Sequence, residues 1–106
     1  MSNTLNLFKA LGDQSRLRII NLLVHNNLCV HDIQYLLKMS QPRVSRHLKI
    51  LTASQVLTKV RQGKWAFFGI NRKTLNAAMM KILEKSFSDI IYLRDLENLD
   101  KLLKSN

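Results

Sequence analysis

Cys29 is the single cysteine of the chain, with His31 two residues beyond it and His25 four residues before it. Thiolate and imidazole are the side chains that hold zinc, and a thiolate is also the nucleophile of redox sensing. Cys29, His31 and His25 are therefore a candidate sensor set. Geometry counts against them. On a helix, residues two apart point roughly 200° away from each other. Cys29 and His31 share an ion only if the helix begins after them or unwinds. A closed zinc site also needs four ligands. His25 offers a third, and nothing obvious offers a fourth. The alternative is a small buried apolar Cys29 and a His31 near an exposed helix start. On this reading no metal and no cofactor is expected. Enzyme chemistry is not expected either: the central region has no paired carboxylates, and no nucleophile–base pair is apparent.

A second set of polar residues lies in "KMSQPRVSRHLKIL", residues 38–51. Ser40 can cap a helix start, and Pro42 falls in the first turn, where a missing N–H costs nothing. Val44, Leu48 and Leu51 recur at i, i+4 and i+7, a narrow apolar stripe that packs on one side only. At 100° per residue Pro42, Arg46 and Lys49 point away from that stripe, with Arg43 and Ser45 on its flanks. His47 sits beside the stripe and is expected to be a partly buried packing or hydrogen-bonding group. Arginine can hold guanine O6 and N7 together, and glutamine can do likewise with adenine.

Charge singles out the same region. Seventeen basic residues against seven acidic give +10. Residues 33–83 contain ten basic residues and no acid, whereas residues 1–32 sum to +1 and residues 84–106 to −1. Ordinary surfaces mix both signs. Acids missing from 51 consecutive residues point to a face for a polyanion.

The elements that position these residues follow from apolar spacing and breakers. A short helix is expected at about 4–11, then Gly12 and Asp13, with Asp13 or Ser15 capping a second helix that runs to about Val24. A third helix spans about 30–38 and a fourth begins after Ser40. Two short helices joined by a tight turn, the second exposing Gln, Ser and Arg near its start, describe a helix-turn-helix. Residues 56–61 and 65–70 are β-rich around the turn "QGK", in which Gly63 is free to take positive φ. This predicts a hairpin wing carrying Lys59, Arg61, Gln62 and Lys64. Trp65, Phe67 and Phe68 are expected to pack rather than to stack on bases. From about 72 to 104 the spacing is helical, as one long helix or two, with any break near 86–89.

The fold class is mainly α (α+β): a winged helix-turn-helix of about five helices with a two-stranded wing, one domain over residues 1–106. No apolar run exceeds four residues, so no membrane span is expected. The start lacks the pattern of a secretory signal. A lone cysteine fits a reducing cytoplasm.

"KALGDQSRLRII", "NLCVHDI", "SQPRVSRHLKIL" and "RQGKWAFFGIN" occur in the order and spacing of the ArsR/SmtB winged-helix repressors, which the chain resembles over about residues 5–75. The resemblance implies a bacterial homodimer that represses transcription by binding an imperfect palindrome of double-stranded DNA. The recognition residues are then Gln41, Pro42, Arg43, Ser45, Arg46 and Lys49, and the wing residues contact phosphate or the minor groove. The first helix and the 72–104 region form the dimer interface, with Leu5, Phe8, Leu75, Met79, Ile82, Leu83, Phe87 and Ile90. Two departures stand out. Gln55 replaces the family's usual glycine, where the chain turns through left-handed φ. The family's metal ligands are also missing: Cys29, His31 and Gln34 occupy one set of positions, and Arg72, Thr74, Lys85 and Ser88 the other. Two other readings remain: a metal- or thiol-responsive repressor using Cys29 and His31, and a basic RNA-binding winged domain.

Overall fold

Asp13 accepts a hydrogen bond from the Arg16 amide at 3.0 Å and so starts the helix on which the rest of the protein packs. The computed structural model describes residues 3–105. In chain order the elements are α1 (Asn3–Leu11), α2 (Gln14–His25), β1 (Leu28–Cys29), α3 (Val30–Leu37), α4 (Gln41–Ala53), β2 (Leu57–Gln62), β3 (Trp65–Ile70), α5 (Ala77–Ser86) and α6 (Ile90–Lys104). The sheet is antiparallel, in the order β1-β3-β2.

Five consecutive residues of α2, Ile19 to Leu23, are buried, so this helix is covered almost all round. Ile33 from α3, Val44, Leu48 and Leu51 from α4, and Val56 and Leu75 from the connections complete the innermost core. Each such side chain contributes about 1.5–3 kcal/mol relative to exposure. Asn21 is buried in the same helix, and its amide donates to the Tyr92 carbonyl of α6 at 3.1 Å. Arg18 adds a two-pronged ion pair to Asp95 of α6, at 2.8 and 2.9 Å.

The described residues form six helices where about five were expected, and the C-terminal region breaks after Ser86, within the expected 86–89. Phe87 closes α5 and packs its ring against Tyr92 at a tilt of 46°, with ring centroids 5.2 Å apart. Helix α5 starts at Ala77 rather than near residue 72, because Asn71 folds the chain into a turn and Asn76 caps the Met79 amide. The wing also gains a third strand: Leu28 and Cys29 pair with Phe68 and Phe67. The wing turn has two residues, Gly63 and Lys64, between the paired Gln62 and Trp65. Only the first has positive φ, 63°, which makes it a type II′ hairpin turn.

Candidate nucleic-acid interface

Helix α4 is started by Ser40, whose hydroxyl accepts the Arg43 amide at 3.4 Å. It is stopped by two backbone bonds, Gln55 N–H to the Thr52 carbonyl at 3.0 Å and Val56 N–H to the Leu51 carbonyl at 2.9 Å. That pair of bonds, with Gln55 at φ 66°, is a Schellman cap. Leu51 and Val56, the two residues it brings together, are both fully buried. The cap fixes the direction in which the chain leaves α4 and enters the wing.

One face of α4 buries Val44, Leu48 and Leu51. The opposite face exposes Gln41, Pro42, Arg43, Arg46 and Lys49, and Ser45 is half-buried. Two of these side chains are already held. Gln41 donates to the Ser45 hydroxyl at 2.7 Å, and Arg43 donates to the Ser15 hydroxyl of α2 at 3.3 Å. On the wing, Lys59, Arg61, Gln62 and Lys64 are all exposed. The pairing register separates the two wing faces. Lys59 and Arg61 lie on the same side as Phe68, whereas Val60 and Gln62 share the other side with Trp65 and Phe67. Trp65 is 59% exposed, against the expectation that it packs. At the hairpin end β3 has only β2 beside it, since β1 reaches only to Cys29 opposite Phe67.

His47 is 5% exposed. Its Nδ1 lies 3.3 Å from Arg16 Nη1. Arg16 also donates to the Ala10 carbonyl through Nε at 2.7 Å and to the Lys9 carbonyl at 3.3 Å. One guanidinium therefore ties the end of α1 to α4. An arginine only donates, so His47 Nδ1 must accept, which leaves the ring neutral with its proton on Nε2. Burial lowers the His47 pKa below its ordinary value. Asp13 opposes that shift, and Arg16, Arg46 and Arg43 reinforce it. Sequence reading anticipated a packed, hydrogen-bonding His47, which is more deeply buried than expected, but not Arg16, whose partners lie on two other helices.

Cys29 ends β1 and sits at the cap position of α3. It is half-buried rather than buried, and its thiol donates to an Asp32 carboxylate oxygen at 3.3 Å. His25 and His31 are exposed. Among the described residues no three His, Cys, Asp or Glu side chains gather in a way that could hold a metal. Of the residues expected at a dimer interface, Leu5, Phe8, Ile82 and Ile90 are exposed and Met79 is half-buried. Leu75, Leu83 and Phe87 are instead buried in the protomer's own core, so they present no surface to a second copy.

Residues 13–59, from α2 into the wing, match the family model described as "Bacterial regulatory protein, arsR family". The chain is 35% identical over 77 residues to the arsenical resistance operon repressor of Bacillus subtilis (strain 168), covering 72% of this chain and 73% of that one. The chain belongs to the ArsR family. It is 30% identical over 88 residues to the transcriptional repressor SdpR of the same organism, covering 80% and 98%. Two solved structures share the fold. The homodimeric winged helix-turn-helix DNA-binding domain Mb0332 of Mycobacterium bovis superposes with a TM-score of 0.72 at 20% identity, covering 79% of this chain and 78% of that one. Reduced HlyU of Vibrio cholerae N16961 superposes with 0.71 at 24%, covering 82% and 90%. This ArsR-family chain is a winged-helix DNA-binding transcriptional regulator, and no helix among its described residues is long and apolar enough to cross a membrane.

Proposed function

We propose that the protein is a homodimeric repressor that binds an imperfect palindrome in promoter DNA and so works in the cytoplasm. Helix α4 of each protomer enters a major groove, and the wing lies along the adjacent backbone. The observation that carries this reading is the two-sidedness of α4. Its apolar stripe is fully used by the core, while Gln41, Arg43, Arg46 and Lys49 stand exposed in a stretch without a single acid. Gln41, Arg43, Ser45 and Arg46 are the base-facing set, and Lys49 meets phosphate. Lys59, Arg61, Gln62 and Lys64 contact phosphate or the minor groove.

Leu5, Phe8, Ile82 and Ile90, each more than half exposed, support the dimer. Leaving such side chains in water is unfavourable, and a two-fold interface covers them on both copies at once. Two-fold symmetry in the protein then calls for two half-sites about one helical turn apart. The repressor works without the family's usual metal ligands: Cys29 is engaged by Asp32, and the two nearby histidines face water. Zinc or nickel binding that is lost in Cys29→Ser and coupled to DNA release would reverse that part. The exposed Trp65 favours one further reading, since a basic sheet with an exposed aromatic can stack unpaired bases. Competition between duplex DNA and structured RNA separates the two. The direct test is selection of bound duplexes from a random pool, with and without metals and oxidants. A palindromic motif is expected, and enrichment of no motif would refute the proposal.

A further inference from the structure

Between the C-terminal half of α4 and the wing lies an open cleft of about 460 Å³. Its walls are Val30, Leu48, Ala53 and Phe68, with Ser45, which accepts from Gln41, and Thr52 beside them. The Thr52 hydroxyl bonds back to the Leu48 carbonyl at 2.7 Å, so it is already satisfied and adds little polarity to the cleft. Two ammonium groups, Lys49 and Lys59, stand at the edge. Lys59 is held there, because its Nζ lies 5.9 Å from the centre of the Phe68 ring, within cation–π range. Neither lysine has a carboxylate partner: the ion pairs among the described residues are Arg18–Asp95 and Lys104–Asp100, and residues 33–83 contain no acid.

An apolar floor beneath two uncompensated cations selects a particular chemistry. Apolar walls drive burial of a hydrocarbon surface, and a low-dielectric floor strengthens attraction to an anionic group at the rim. A metal cation is repelled, and a neutral polar molecule gains little from such walls. We propose that this cleft binds a small organic anion with a flat apolar body of about two rings and a single carboxylate. The ring system lies against Leu48 and Phe68, and the carboxylate bridges Lys49 and Lys59. The same two lysines are DNA contacts in the function proposed above, on which this part rests. A seated ligand offsets one of their two positive charges and occupies both ammonium groups, so ligand and DNA compete for them, and by linkage each weakens the other's binding equally.

The test uses the intact protein and 2-naphthoate, with 2-naphthalenemethanol as the neutral counterpart. Titration followed by amide NMR should shift Val30, Leu48 and Phe68. Naphthoate should bind at least tenfold more tightly than the alcohol. Lys49→Gln and Lys59→Gln, both at exposed positions, should each weaken naphthoate binding at least threefold and leave the alcohol unaffected. Thr52→Phe, which places a ring across the wall beside Leu48, should abolish binding of both. Equal affinity for acid and alcohol, or shifts confined to other elements, overturns the cleft. In a second arm naphthoate should release a selected duplex, with a midpoint that rises with DNA concentration. Absence of naphthoate binding alongside normal DNA binding overturns the cleft and leaves the DNA reading intact. Naphthoate bound in the cleft without any release overturns the assignment of Lys49 and Lys59 to the DNA face.

Discussion

Gln55→Gly should stabilise this protein. Gln55 has φ 66° at the C′ position of α4, where a Cβ crowds the backbone and costs roughly 1–2 kcal/mol in the left-handed region. Glycine removes that crowding but adds freedom to the unfolded chain, which returns part of the gain. The net is about 1 kcal/mol. The Gln55 side chain is exposed, so its removal forfeits no core packing, and both Schellman bonds use backbone atoms alone. At about 2.1 cal/mol/K per residue, a chain of this length has an unfolding entropy near 0.22 kcal/mol/K, so 1 kcal/mol raises Tm by about 4–5 °C. Thermal unfolding followed by circular dichroism reads this directly, with Gln55→Ala as the control. Alanine keeps the Cβ and should change Tm by less than about 2 °C, the equivalent of an ordinary surface substitution. An unchanged or lower Tm for Gln55→Gly, or an equal gain for Gln55→Ala, would refute the reasoning.

Three further outcomes are expected. His47 has a folded-state pKa below its unfolded value of about 6.5, so its contribution to stability is complete above pH 6.5. It is lost as pH falls through the folded pKa, with a slope of at most about 1.4 kcal/mol per pH unit. Urea melts between pH 7.5 and 5 should show this loss, and His47→Gln should flatten it. Asp95→Asn leaves the Arg18 guanidinium without its carboxylate, and because Asp95 is buried the cost should be about 3 kcal/mol, read as a fall in urea midpoint at unchanged m-value. Affinity for a selected duplex should drop by about three decades or more between 50 and 200 mM salt if the dimer neutralises about 6–10 phosphates. A shallow slope would mean that the basic face is not where DNA lies.

Helix α4 was readable because each of its determinants is local. Ser40, Pro42 and the Val44, Leu48, Leu51 stripe fall within twelve residues, and the structure uses them as the spacing implies. The wing turn was readable for the same reason, through Gly63. Strand β1 was not, because two residues carry no period, and Leu28 and Cys29 become a strand only through pairing with distant Phe68 and Phe67. Arg18 and Asp95 are 77 positions apart, and Arg16 joins α1 to α4 through side-chain bonds that no spacing rule encodes. Trp65 misled because aromatic residues in strands are usually covered, whereas Trp65 starts β3 at the hairpin end, beyond the reach of β1, and stays exposed. Leu75, Leu83 and Phe87 fit the helical pattern of the C-terminal region, yet that pattern alone does not distinguish a face buried within a protomer from one left for a second copy.

The central claim is that exposed α4 side chains read DNA sequence. Its most direct test compares wild type and Arg46→Ala on a selected palindromic duplex and on a random duplex at one salt concentration. Loss of a bidentate contact to guanine costs about 1–3 kcal/mol, or roughly 5- to 150-fold, on the specific site. The account predicts a loss in that range on the selected duplex and less than about threefold on the random one. Equal losses on both would place Arg46 among the phosphate contacts. No loss on either would contradict the assignment of α4 as the reading helix.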